Sequence, residues 1–519
     1  MLTPNTTPNT GPNPLLARRR FLQTVAGLGL GALAGLSATP LRAAPSADAW
    51  HSSFAPWDAP GFDGFIETPH LPMTGTAPKA LRGRFYRNGP ARFGRGAQRL
   101  NHWFDGDAMV QMFQIDGARV GHRGRMLDTA KSRAEAAQGR FLYNGVGSQV
   151  PGALPMQRPD DANPANINLL ALNGGRSLYA LWEAGSALQV DPDDLRSIGP
   201  QVWSPETAGA PFSAHPRVAA DGSVWNFGYL PGSGRLLIYH IGADGRLRRQ
   251  HMLEVPQADM VHDFAITERH LIFLLQPLRT DLGQANAPHL LATMHWDAEA
   301  PLLACVVSQA DFSVRWVELP NGGLFHIGNA WEEGRRSGAG TLHLGYVHHS
   351  HILGALRSFD VSPGFVPAED TPTRWTELVL QPAQGRARVI DTGLGGVEFP
   401  RHDPRRTGRR SRLTVMLQRG QALQNETLMG FNRVLVLDGE RHQGFDYGSG
   451  WLAEEHVLVP HPQRTDERAG WVLGTAYHWP SETTTLSVFA AAGVADGPLA
   501  QWRLPYGLPL GLHGQFVAT

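Results

Sequence analysis

Four histidines stand in settings that suit metal ligation. His215 lies in Ser213-Ala214-His215-Pro216, and His262 in Met260-Val261-His262-Asp263-Phe264. His326 lies in Phe325-His326-Ile327-Gly328-Asn329-Ala330-Trp331-Glu332, and His513 in Gly511-Leu512-His513-Gly514. Iron, zinc and copper all accept imidazole, and histidine supplies 22 of the 519 residues. The successive separations are 47, 64 and 187 residues. None fits a zinc helix of the His-Glu-x-x-His kind, so any metal these residues share must be assembled from distant elements. Taken singly, each has an ordinary reading: histidine before proline caps a turn, and histidine before aspartate forms a surface hydrogen-bonding pair. A denser group, His343, His348, His349 and His351, follows the alternation of a strand and reads as an exposed hairpin. The single cysteine, Cys305, excludes an intramolecular disulfide and a cysteine-built metal site.

The elements that must position these residues read as strands. Short β-rich runs bounded by Gly, Asp, Asn or Pro recur at 223–230, 236–241, 270–275, 341–347, 413–418, 433–437 and 471–477. The runs 236–241 and 247–255 are joined by Gly-Ala-Asp-Gly, a hairpin signal. Asp-Gly also recurs at 105–106, 116–117, 221–222, 438–439 and 496–497. Hairpins without a βαβ rhythm predict a closed antiparallel architecture such as a propeller, whose inner strands all face one axis. No clean repeat fixes a blade number, and a pair of β-sandwiches is the structural alternative. Hydrophobic residues make up 42% and charged residues 18%, so the chain buries a large core. Lys+Arg and Asp+Glu both number 46, which argues against a nucleic-acid partner.

The N-terminus carries an address. Arg18-Arg19-Arg20-Phe21-Leu22 precedes a short, weakly apolar stretch from Val25 to Ala38. That stretch is shorter than the roughly 20 residues a membrane helix needs. It reads as an export signal of twin-arginine type, with residues 1–44 as export signal and disordered leader and 45–519 as a single β-propeller domain. Periplasmic export is expected, with a membrane tether through an uncleaved leader as the alternative.

From about Gly83 to Val517 the sequence resembles the carotenoid cleavage oxygenases. The resemblance opens with Leu81-Arg82-Gly83-Arg84-Phe85-Tyr86-Arg87-Asn88-Gly89-Pro90 and His102-Trp103-Phe104-Asp105-Gly106-Asp107-Ala108-Met109. The family usually carries glycine at the position of Ala108. The four histidine motifs then follow in the family's order. The resemblance implies an all-β, seven-bladed β-propeller with long loops and a few helices capping one face. It implies an iron(II) on the axis held by His215, His262, His326 and His513. It also implies three glutamates behind the ligands: Glu183, Glu398 and Glu455, the last beside Glu454. Carboxylates there would fix the imidazole tautomers and offset charge.

The expected activity is O₂-dependent cleavage of an alkene C=C bond in a carotenoid or apocarotenoid, giving two carbonyl products. A stilbenoid cleaver is the alternative within the family, and a non-catalytic propeller scaffold the alternative outside it. Some of the Trp and Phe residues are expected to line a substrate tunnel. The uncharged segment 146–156 is a candidate for peripheral membrane contact. The Asp105-Gly106-Asp107 segment reads as a hydrogen-bonded turn, and the basic run 401–410 as a solvated loop.

Overall fold

The computed structural model describes residues 64–519 apart from 282, 285–286, 335–339, 363–364, 366–370 and 425–429. The leader therefore lies outside the described residues. Seven antiparallel sheets of four or five strands are arranged as propeller blades. Blade 1 orders Phe65–Thr68, Arg119–Met126, Asp107–Asp116 and Arg82–Arg92 from outside inward, and its innermost strand is the C-terminal His513–Ala518. This strand pairs antiparallel with Arg82–Arg92, so the two ends of the domain close the ring. The inner strands of blades 2 to 7 are Asn168–Leu172, Arg217–Val218, Phe264–Ile266, Ile327–Glu333, Val397–His402 and Trp451–Val459.

The strands expected from sequence are all present, with ends shifted by one or two residues. The hairpin joins Arg235–Ile241 to Leu247–Glu254, and Gly245 in its turn has φ +79°, a conformation glycine adopts without a Cβ penalty. Burial is greatest in the middle strands of a blade and falls toward its outer edge. In blade 3, Val224–Tyr229 is buried at every position, whereas the outer Leu247–Glu254 alternates, with Arg248, Gln250, Met252 and Glu254 exposed. The core is a set of interlayers rather than one centre. Phe227 and Ile238 of blade 3 pack on Phe264 and Phe273 of blade 4, and Leu473 and Trp502 of blade 7 pack on Phe85 and Phe113 of blade 1.

Helix is scarce. Two α-helices, Ala130–Gln138 (α1) and Ile352–Arg357 (α2), and a turn at Gln421–Gln424 are the α-helical segments among the described residues. Among those residues no helix is long and apolar enough to cross a membrane. The group His343, His348, His349 and His351 is not an exposed hairpin. Thr341–His349 is the second strand of blade 5, His349 is buried, and the other three are half-buried.

Candidate metal centre

Each of the four histidines sits at the start of an inner strand, on the same end of the axis. His215 and His262 precede Arg217–Val218 and Phe264–Ile266 by two residues, His326 precedes Ile327–Glu333 by one, and His513 opens its strand. The wide sequence separations are therefore steps around the ring: one blade, one blade, then three.

Local contacts hold these starts in place. The Asn168 side chain donates to the Ala214 carbonyl at 2.7 Å, and Asn226 donates to the Ser213 carbonyl at 2.9 Å, fixing the His215 loop. Asp263 is no surface partner. Both its oxygens accept from Arg217 of blade 3 at 2.7 Å, and one also accepts from the Ile327 N–H of blade 5 at 2.8 Å. Asp263 thus clamps three consecutive blades beside His262 and His326. On the other side, Leu512 N–H donates to the Asn88 carbonyl at 2.9 Å. Gly89 is required there: a Cβ would lie 2.6 Å from the Gly511 Cα.

The four side chains converge. All are buried, and one ligand atom from each lies within 4.8 Å of the others. The Nε2 atoms of His215 and His262 are 3.0 Å apart, and the pairs His262–His326 and His326–His513 are each 3.2 Å apart. Three of the rings spend their Nδ1–H on a carboxylate. His262 donates to Glu183, His326 to Glu398 at 2.6 Å, and His513 to Glu455 at 2.9 Å. With the ring proton on Nδ1, the Nε2 lone pairs point at one another in a dry site. A shared cation is what that arrangement satisfies, so the donor set fits a metal ion. His215 has no carboxylate beside it among the described residues.

The electrostatics agree. Burial alone would raise the Glu398 carboxyl, but His326 and His349 override it and hold the group well below the usual carboxylate range. Burial likewise opposes ionisation of Glu183 and Glu455; His262 holds the first down, and Arg401 with His513 holds the second down. Burial would lower His326, yet Glu398 raises it above the ordinary imidazole value. Burial pushes His513 down to about 4, against the pull of Glu455. A metal entering the site displaces any proton held on Nε2, so binding releases protons as pH falls toward the imidazole range.

Glu454 and Glu455 are adjacent, and only one reaches a histidine of the cluster. Glu455 accepts from His513, from Gly514 N–H at 2.8 Å and from Arg401 at 3.3 Å. Glu454 pairs with buried Arg87 and accepts from Thr475 at 2.6 Å. The pairing register of this strand shifts between Ala453 and His456. Similar irregularities lie beside His326, between Ile327 and Ala330, and beside Glu398, between Glu398 and Arg401. Bulges re-aim side chains at such places. Phe399, next to Glu398, takes φ +56°, uncommon for a bulky residue, and its ring lies 5.1 Å from His326 and 5.3 Å from His513. Glu455→Gln is expected to lower metal affinity by roughly 10–100-fold. Glu454→Gln is expected to leave it unchanged while lowering thermal stability; chelator competition and thermal melts separate the two.

The cluster opens on a cavity of about 640 Å³, within the usual size of a small-molecule site. Its wall includes Trp103, Phe104, Phe325, Phe359, Phe399 and Phe431, together with the rings of His262, His326 and His513. Trp and Phe thus line the cavity as expected from sequence. The polar residues Ser358, Asp360, Thr373 and Arg419 also belong to the wall. The 102–109 motif builds part of this wall. His102 accepts from Phe104 N–H at 3.2 Å and donates through Nε2 to the Leu356 carbonyl of α2 at 2.9 Å. Asp105 accepts the N–H groups of Val146, Gly147 and Ser148. The segment is the hydrogen-bonded turn read from sequence.

A family profile, that of RPE65, retinal pigment epithelial membrane protein, matches residues 63–518. The chain belongs to the RPE65 family. Its relatives include the apocarotenoid-15,15′-oxygenase of Synechocystis, 26% identical over 468 residues, covering 86% of this chain and 92% of the relative. The lignostilbene-α,β-dioxygenase isozyme III of Sphingomonas paucimobilis is also 26% identical, covering 86% and 93%. Among solved structures, the cobalt-substituted Synechocystis apocarotenoid oxygenase superposes with a TM-score of 0.79 at 25% identity, covering 91% of this chain and 99% of the other. The seven-bladed propeller is thus shared with that oxygenase over nearly the whole of both chains.

Sequence reasoning misses three residues of the centre. It reads Asp263 as a surface hydrogen-bonding partner, Arg401 as part of a solvated loop, and His349 as part of an exposed hairpin. Arg401 instead reaches Glu455 and the Gly514 carbonyl, the latter at 3.2 Å. His349 donates through Nε2 to Glu398 at 2.8 Å.

Proposed function

We propose that this chain is an iron(II) dioxygenase that cleaves one C=C bond of a carotenoid or apocarotenoid with O₂. The observation that carries this reading is the convergence of four imidazoles, three of which, His262, His326 and His513, line an aromatic cavity. Iron(II) held by His215, His262, His326 and His513 would supply the activation of O₂. The protein's own part is positional. Phe325, Phe359, Phe399 and Phe431 offer flat apolar surfaces against which a conjugated chain stacks, and the same surfaces exclude water. A polyene held against these rings would lie beside His262, His326 and His513, which share the same wall. Splitting an alkene with O₂ into two carbonyls moves no proton overall, so no side chain need serve as general acid or base. The three glutamates are accordingly all engaged in holding imidazoles.

A second reading, stilbenoid cleavage, draws on Ser358, Asp360, Thr373 and Arg419 in the cavity wall, the kind of polar group a phenol requires. The lignostilbene dioxygenase relative supports it as well. Anaerobic iron reconstitution followed by an apocarotenal or a 4-hydroxystilbene decides, with products read by mass. Apocarotenal cleavage to two carbonyl fragments is expected. Fast stilbene cleavage without polyene turnover would overturn the carotenoid assignment.

Uptake of an insoluble polyene requires a membrane or a carrier, and we place the contact at 146–156. Leu154 and Met156 there are 47% and 58% exposed, while Val150 is buried. The mature protein is expected to float with liposomes, and Leu154→Asp with Met156→Asp to abolish flotation. Export through the leader is part of the same proposal: Arg18-Arg19→Lys-Lys is expected to retain the protein in the cytoplasm, and unchanged fractionation would discard the twin-arginine reading.

A further inference from the structure

The three carboxylates behind the histidine cluster are themselves held, each by a different kind of donor set. Glu183 accepts from the Tyr229 hydroxyl at 3.1 Å. Glu455 accepts from Gly514 N–H and Arg401. Glu398 accepts from a second imidazole, that of His349. The Glu398 arrangement is the most finely divided. One oxygen, Oε2, takes the His326 Nδ1–H at 2.6 Å and the Phe399 N–H at 2.6 Å. The other, Oε1, takes the His349 Nε2–H at 2.8 Å. The carboxylate is buried, and His349 is the one side-chain donor to Oε1 among the described residues.

We propose that His349 is a positioning residue for the metal centre, acting through Glu398 to fix the ring of His326. A carboxylate turns about its last C–C bond unless both oxygens are engaged. His349 supplies the contact that keeps Oε2, and not Oε1, on His326. A buried carboxylate oxygen that loses its only side-chain donor also loses the partner that made its burial tolerable, so the group rotates or draws in water. Either change tilts the His326 ring and with it the Nε2 that faces the other three histidines.

His349 is itself built into this role. It sits on the last residue of the second strand of blade 5, hydrogen-bonded through its backbone to Gly323, on the segment leading to His326. Its ring meets that of Phe325 edge to face at 5.1 Å. Its Nδ1 is buried and has no hydrogen-bond partner among the described residues. Buried polar atoms are rarely left unpaired. The unpaired Nδ1 matches a tautomer with its one proton on Nε2, the atom that meets Glu398. His349 also borders the cavity, so a displaced ring would alter the wall beside His326.

The inference rests on the metal-centre reading above, and the test separates the two. Full-length protein is loaded with Co(II) and the visible absorption bands and the dissociation constant, by chelator competition, are compared for wild type, His349→Phe and His349→Gln. Phenylalanine keeps a ring without a donor; glutamine keeps a donor without a ring. The Phe variant is expected to lose roughly 10–100-fold in Co(II) affinity and to shift the visible bands, with the Gln variant restoring both toward wild type. In a Glu398→Gln background, His349→Phe is expected to add little further loss, because the two residues act in series. Thermal melts of the metal-free proteins confirm that both variants fold; a variant that does not is replaced by His349→Leu. Wild-type affinity and bands in the Phe variant, or equal losses in Phe and Gln variants, would overturn the role of His349. Absence of a stoichiometric Co(II) site in wild type would instead overturn the metal-centre reading, and this inference with it.

Discussion

Alanine at any one of His215, His262, His326 or His513 is expected to abolish turnover. The reason is geometric. The four Nε2 atoms form a chain of contacts of 3.0–3.2 Å, with His215 and His513 at its ends. No other histidine, cysteine or carboxylate among the described residues completes a ligand group there. Removing one imidazole leaves three donors in a dry pocket with no spare side chain to replace it. Metal affinity is expected to fall by more than the roughly 10–100-fold that follows loss of an outer partner. Each variant should retain the fold, because the rings lie on the axis and not between blades. Metal content and single-turnover cleavage check this, and appreciable activity in any one variant would remove that histidine from the site.

Asp263→Ala is expected to produce the largest loss of stability. Arg217 donates to both Asp263 oxygens and also to the carbonyls of Phe264 at 2.7 Å and Ile327 at 2.8 Å. Blades 3, 4 and 5 meet at this one pair. Asp263 is buried and Arg217 nearly so, and breaking a buried pair by removing one partner costs about 3–5 kcal/mol, since the other charge is left uncompensated. Thermal and denaturant unfolding should show the loss. Metal affinity should fall with it, because His262 precedes Asp263 and His326 precedes Ile327. Asp263→Asn, which keeps the shape but not the charge, should lie between wild type and the alanine variant.

The sequence showed the strands and the four histidines plainly, for different reasons. A middle strand of a blade is a short apolar run between turn residues, and this local signal survives at Val224–Tyr229 and Trp471–His478. Each histidine has a distinctive neighbourhood, so motif order carried it even though composition could not. Blade number was hidden because the blades differ in length. Blade 4 inserts a separate hairpin, Leu278–Thr280 with Met294–Trp296, between its second and third strands, and no repeat period survives that. The outer partners were hidden because they depend on packing between blades. Nothing around His349 distinguishes it from His343 on the same strand, where the ring stacks on Trp331. Its meaning comes only from Glu398, on the next blade. Arg401 was lost in a basic run for the same cause. The choice between Glu454 and Glu455 came from the motif, since adjacent residues on a bulged strand cannot be assigned a face by alternation alone.

The central claim is that four imidazoles and no protein carboxylate hold one iron(II) per chain. X-ray absorption on anaerobically reconstituted protein, with metal analysis of the same sample, tests it most directly. The expected result is one iron per chain with four histidine nitrogens in its coordination shell. A shell containing a Glu or Asp oxygen, or full activity with zinc in place of iron, would contradict it.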